Sequence, residues 1–227
     1  MQPRFLGQLG LADLITVTNA AIGFLAVAVA PTDPSLAARL ILLAAIADGL
    51  DGVVARTLGG TAVGPHLDSL ADIASFGVAP AAIVYVVAGN AWPIATATPA
   101  AGAALAIPAA FVGMATIRLG FYMLHDQDTR ETVGVQTTLA ATLIAVAYLA
   151  GVTDPVLLLG ATAALSYLMI ASITYPELYD RDAIVLGGLQ ALVVAAPTAL
   201  DRALPRALLL CALAYLLFAP VLYWRRA

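Results

Sequence analysis

Hydrophobic positions in this chain do not alternate with polar ones. They run together in long stretches, broken at intervals by proline, glycine and a few charges. A helix of about 20 apolar residues spans the hydrocarbon core of a bilayer. Eight stretches of that kind lie near residues 11–31, 36–58, 66–89, 98–123, 134–152, 155–174, 183–200 and 205–223. The breaks fall at Pro31 and Pro34, Gly59 and Gly60, Pro93, Gly151, Pro155, Pro176 and Pro205, residues that interrupt regular structure. Backbone groups in lipid must be satisfied within their own segment, which favours helices. A membrane barrel would require an alternation that is missing here. The pattern predicts an all-α, polytopic membrane bundle of about eight transmembrane helices, forming a single membrane-embedded domain over residues 1–227.

Composition agrees. Of 227 residues, 62% are hydrophobic and 11% charged, and the mean hydropathy is +0.96. A soluble domain of this size cannot hide so much apolar surface. The net charge is −4, with ten Arg and no Lys. The arginines are scattered, with no basic stripe for nucleic acid. Arg4 precedes a long apolar stretch without a small-residue cleavage pattern, so this region reads as the start of the first membrane helix and not as a cleavable signal. Cys211, the sole cysteine, can form neither an internal disulfide nor a cysteine metal cluster. It reads as a small buried apolar side chain.

Orientation follows from the arginines. With the N-terminus in the cytoplasm, Arg4, Arg56, Arg118, Arg130, Arg181, Arg225 and Arg226 lie on the cytoplasmic side, and Arg39, Arg202 and Arg206 on the other. Both chain ends, the 59–65 turn and the 124–132 loop are then cytoplasmic. The stretch from His125 to Thr132, with Asp126, Asp128, Arg130 and Glu131, reads as a solvated connection.

Ionisable residues within membrane helices are costly and mark function by default. Asp48, Asp51, Asp68 and Asp72 fall within or at the ends of the second and third spans. Asp48 and Asp51 are three apart, and Asp68 and Asp72 four apart, so each pair shares a helical face. The short 59–65 connection makes the two helices antiparallel neighbours, whose four carboxylates can face a common point. Their mutual repulsion in a low dielectric calls for a hard divalent cation, or two. All-oxygen ligands favour Mg²⁺, Mn²⁺ or Ca²⁺ over zinc. Gly52 and Ala55 leave room for a bulky anion at the helix backbone, and Arg56 can add a charge-assisted bond to phosphate.

The segment reads Asp48, Asp51, Gly52, Ala55 and Arg56, then Gly64, Asp68 and Asp72. This resembles the DxxDGxxAR…GxxxDxxxD signature of the CDP-alcohol phosphatidyltransferase family, with seven residues between Arg56 and Gly64 where eight are usual. The run from Asp68 to Pro80 is similar to the phosphatidylserine synthase branch, and Thr16 and Asn19 resemble the TxxN of the family's first helix. The resemblance covers residues 11–150. It implies a six-helix catalytic core with a metal site in which Asp48, Asp51, Asp68 and Asp72 hold Mg²⁺ or Mn²⁺, as two ions. It further implies Asp72 as general base, and Asn19, Gly52, Ala55, Arg56 and Gly64 around the CDP-lipid. The implied reaction transfers a phosphatidyl or archaetidyl group to L-serine and releases CMP. The implied assembly is a homodimer among membrane lipids. The lipid would be CDP-diacylglycerol or, for a salt-adapted chain without lysine, CDP-archaeol. Glycerol 3-phosphate or an inositol phosphate is the alternative acceptor.

Ser75, seven residues after Asp68, falls on the same face and is a candidate acceptor-binding group, beside the alternative of a bond to its own helix backbone. Arg118 is a second candidate, for a carboxylate or a lipid phosphate, beside the alternative of an interfacial anchor. Gln136, Thr137 and Thr138 open the fifth span and can also meet an acceptor. A cation transporter is the reading from another class. It predicts ion flux without CMP production, and leaves the glycines and Arg56 of the motif without a purpose.

Overall fold

The computed structural model describes residues 6–125, 131–176 and 178–223. Arg4, Asp126, Asp128, Arg130, Arg225 and Arg226 lie outside the described residues. Among the described residues, eight helices follow in order: α1 (Leu11–Val29), α2 (Pro34–Leu58), α3 (Gly64–Ala91), α4 (Pro99–His125), α5 (Thr137–Ala150), α6 (Pro155–Met169), α7 (Asp180–Ala195) and α8 (Ala199–Leu222). Helices α1, α3, α4 and α8 are long and apolar enough to cross a membrane. Helix α2 has the length, at 25 residues, but carries Arg39, Asp48, Asp51 and Arg56. Helices α5 and α6 are apolar but only 14 and 15 residues long. Large side chains such as Phe24, Leu217 and Val221 are exposed on the outside of the bundle. Such a surface suits lipid and makes this an all-α membrane-type bundle.

Local chemistry accounts for the helix ends. Asp33 and Asp154 cap α2 and α6 by accepting from the amides of Leu36 and Leu157, each at 2.9 Å. Pro34 and Pro155 occupy the first helical positions, where no amide is needed. Pro205 was expected to separate two spans, yet it lies inside α8. Leu200, Asp201 and Arg202 adopt left-handed backbone conformations just before it, so Pro205 stands in the first regular turn, where its missing amide costs little.

Helix α3 changes character midway. It is α-helical over Gly64–Asp72, π-helical over Ile73–Val78 and α-helical again from Ala79, whose amide donates to Ala74 five residues back. Pro80 follows directly. It has no amide and its ring crowds the preceding turn. One widened stretch absorbs that conflict without breaking the helix. Beside it, α1 crosses at Gly23, where a Cβ would stand 2.8 Å from Ser75 Cα. Only glycine permits that approach.

Two apolar clusters flank this contact. One gathers Ile41, Leu42, Phe76 and Ile83, and the other Phe111, Val135, Ile144 and Met169. Cys211 departs from expectation: it is exposed on α8, facing away from both clusters. Its helix is amphipathic around Leu208, Ala212 and Leu216, which are buried, and Cys211 falls between them.

The expected loops before α5 and α7 contain a two-stranded antiparallel ribbon, β1 (Glu131–Val133) and β2 (Thr174–Pro176). Thr132 sits opposite Tyr175. A lone ribbon is marginal in stability, and α8 holds this one. The Tyr175 hydroxyl donates to the Leu216 carbonyl (3.2 Å) and the Tyr215 hydroxyl to that of Pro176 (2.5 Å). Burial pushes the Tyr175 phenol above its ordinary range, which keeps it a neutral donor.

Candidate active site

The α2–α3 hairpin brings three of the four expected carboxylates together. Ligand oxygens of Asp48, Asp68 and Asp72 all lie within 4.8 Å of one another. Asp48 and Asp68 are half-buried and Asp72 is buried. Asp51 is drawn aside. It is buried, and its Oδ2 accepts from Thr16 Oγ1 of α1 at 2.5 Å. The helical spacing of Asp48 and Asp51 is as expected, but three residues turn the helix by about 300°. The two side chains therefore diverge enough for a neighbouring helix to engage one of them.

The donor set fits a hard divalent cation. It is all oxygen, it comes from two rigid helices, and Asp72 Oδ1 is buried without a hydrogen-bond partner among the described residues. A buried carboxylate oxygen left unpaired is costly, and a cation shared by the three groups satisfies it.

A polar cavity of about 240 Å³ opens on this cluster. Asp48, Asp68 and Asp72 form one wall, and Arg118, Thr132 and Tyr175 another. Arg118 is buried. Its guanidinium donates to Thr132 Oγ1 at 3.0 Å and lies 5.8 Å from the Tyr122 ring centroid. Gln136, Thr137 and Thr138 also line it, and Thr138 reaches Asp48 at 3.5 Å.

A larger groove of about 820 Å³ begins at the same cluster and runs between α2, α5, α7 and α8. Asp48, Gly49, Val53 and Arg56 line its α2 side, and Ile184, Leu186 and Leu208 are among the apolar side chains opposite. Asp48, Gln136 and Thr138 line both spaces. Arg56 lies back over Gly52, where a Cβ would be 3.4 Å from its guanidinium. Ala55 is half-buried and lines neither space.

The remaining expected site residues sit behind the cluster. Asn19 is fully buried, and neither polar atom of its side chain has a hydrogen-bond partner among the described residues. Gly64 begins α3 against Asp13 of α1. Ser75, the other acceptor-binding candidate, lies on the α1 side of α3. It is fully buried, donates to the Asn19 carbonyl at 2.9 Å and lines neither space. The π-helical turn and the close α1 contact direct it there. Thr132 and Tyr175 were missed, because three-residue strands leave no periodicity to read. Asp13 was missed too, although an acid in the first turn of an apolar span is a visible signal.

Comparison with known proteins agrees with this geometry. Residues 9–175 match the family model described as CDP-alcohol phosphatidyltransferase. The archaetidylserine synthase of Methanothermobacter thermautotrophicus is 33% identical over 174 residues, 74% of this chain and 70% of that protein. The CDP-diacylglycerol–serine O-phosphatidyltransferase of Bacillus subtilis is 30% identical over 166 residues, 72% of this chain and 88% of that protein. Its counterpart from Helicobacter pylori J99 is 33% identical over 153 residues, 63% and 61% of the two chains. With a signature-bearing helical hairpin, converging carboxylates and a match over most of its length, the chain belongs to the CDP-alcohol phosphatidyltransferase family.

Proposed function

We propose that this protein transfers the phosphatidyl or archaetidyl group of a CDP-activated lipid to the hydroxyl of L-serine, releasing CMP. The observation that carries this reading is that Asp48 lines both the polar cavity and the apolar groove. A reaction joining a water-soluble alcohol to a lipid needs two such spaces meeting at one set of charges. The names of the archaeal and bacterial relatives support serine as the acceptor.

In this reading the lipid chains of CDP-diacylglycerol or CDP-archaeol lie in the groove, and the nucleotide end is held near Asn19, Gly52, Ala55, Arg56 and Gly64. Arg118, backed by Thr132, takes the serine carboxylate in the polar cavity. Asp48, Asp51, Asp68 and Asp72 hold Mg²⁺ or Mn²⁺, as two ions. When bound, these ions neutralise the pyrophosphate and stabilise charge on the phosphorus centre. Asp72 accepts the proton of the serine hydroxyl. The hydroxyl oxygen forms a bond to the lipid-side phosphorus, the bond from that phosphorus to the bridging oxygen breaks, and CMP leaves with that oxygen. The whole chain, 1–227, works as one domain in a homodimer, with its site facing the cytoplasm.

The test is CMP release from purified protein with CDP-lipid and a panel of alcohols, with Asp72→Asn as control. Serine-dependent release that Asp72→Asn abolishes is expected. Release with glycerol 3-phosphate or an inositol phosphate, and none with serine, would reject the serine assignment while keeping the family.

A further inference from the structure

Asp13 is a buried carboxylate that the reaction above does not use. It lies in the first turn of α1 and is 1% exposed. Among the described residues its hydrogen-bond partners are neutral donors. The Gly10 amide donates to Oδ2 at 2.8 Å, and Thr61 Oγ1 donates to the same carboxylate, 2.8 Å from Oδ2 and 3.0 Å from Oδ1. The Thr61 hydroxyl also accepts from the Gly64 amide at 3.1 Å. A hydroxyl can do both at once. Gly64 is the first residue of α3, so its amide is one that the helix itself leaves unsatisfied. The three segments pack tightly at this point: a Cβ on Gly64 would be 3.1 Å from Asp13 Oδ1, and one on Gly10 would be 3.2 Å from Thr61 Cγ2.

The consequence lies further along α3. Asp68 and Asp72 follow Gly64 by four and eight residues, about one and two helical turns. A helix pinned at its first residue carries that register to both side chains. One turn beyond Asp13 on the same helix, Thr16 holds Asp51 of α2. Helix α1 thus grips both carboxylate-bearing helices through successive turns. The 59–63 turn between them is otherwise exposed at Gly59, Gly60, Ala62 and Val63, and Thr61 is its inward anchor.

We propose that Asp13 and Thr61 are a positioning pair. Their bond sets the register of α3 so that Asp68 and Asp72 meet Asp48 at the spacing a divalent cation requires. The proposal rests on the metal-site reading above.

The test is direct Mn²⁺ binding to the full-length purified chain, followed by electron paramagnetic resonance without substrate, alongside thermal midpoints. Thr61→Val replaces the hydroxyl with a methyl of similar size, and Thr61→Ser keeps the hydroxyl. Loss of a partner that bonds a metal ligand weakens metal binding by about 10–100-fold, and Thr61 stands one step further out, so the low end of that range applies. Weakening of that order is expected for Thr61→Val, with Thr61→Ser close to the wild type. Equal binding by Thr61→Val and the wild type, or equal impairment of Thr61→Val and Thr61→Ser, would overturn the proposal. If Thr61→Val also lowers the thermal midpoint, the titration is repeated well below that midpoint, where the chain is fully folded. Weaker Mn²⁺ binding there supports the pair, and binding equal to the wild type rejects it. No Mn²⁺ binding by the wild type would instead sink the metal-site reading itself.

Discussion

Thr16 donates to Asp51 across 2.5 Å between α1 and α2, and this bond separates Asp51 from the three carboxylates that converge. The relationship decides how the signature is used. Asp48, Asp68 and Asp72 form the cluster, while Asp51 stands beside it with its own donor. An ion bound at the cluster would thus meet three carboxylates arranged by two helices and a fourth oriented by a third helix.

Thr16→Val should leave Asp51 buried without its hydroxyl donor. Losing a hydrogen bond to a charged group costs about 1.5–3 kcal/mol. The expected result is a fall of about tenfold or more in the apparent affinity for Mg²⁺ or Mn²⁺. Metal titration of CMP release measures it, and Thr16→Ser should restore most of the loss.

Asp72→Asn should separate binding from chemistry. It keeps the shape of a buried side chain but removes the proton acceptor, which is worth about 10²–10⁴ in rate. Single-turnover CMP release should fall by that factor, with a smaller change in half-saturation by CDP-lipid. Equal loss in both would make Asp72 a binding group only.

Arg118→Gln should act on the acceptor. The guanidinium that donates to Thr132 lies in the polar cavity, where a carboxylate partner is worth about 1.5–3 kcal/mol. The KM for serine should rise about 10–100-fold, with the KM for CDP-lipid little changed. Ethanolamine, which lacks the carboxylate, should be used no worse by Arg118→Gln than by the wild type.

Gly187→Phe should obstruct the groove. Gly187 lines it, and among the described residues no heavy atom lies within 4 Å of where its Cβ would be, so a side chain can start there without displacing packed atoms. Turnover of a long-chain CDP-lipid should fall, while a short-chain analogue should be spared. Equal effects on both would place the lipid chains elsewhere.

Much of the fold was legible because lipid imposes a local rule. Each span must satisfy its own backbone, so long apolar runs and their Pro and Gly breaks report helices directly, as the capped starts at Pro34 and Pro155 illustrate. Pro205 marks the break only to within a few residues, because the chain already turns at Leu200–Arg202 just before it. The ribbon that brings Thr132 and Tyr175 to the cavity was not legible, because its register arises between segments some 40 residues apart in the chain.

By itself, the sequence determined that this chain is a helical membrane protein with acidic residues paired on the faces of two adjoining helices. Periodicity along one helix suffices for that, since side-chain direction there depends only on position in the chain. Tertiary structure alone decided that Asp51 turns to Thr16, that Ser75 turns to Asn19 and that Asp13 reaches Thr61. Those choices depend on where a second helix crosses the first, and close approach through Gly23 and Gly64 sets the crossing.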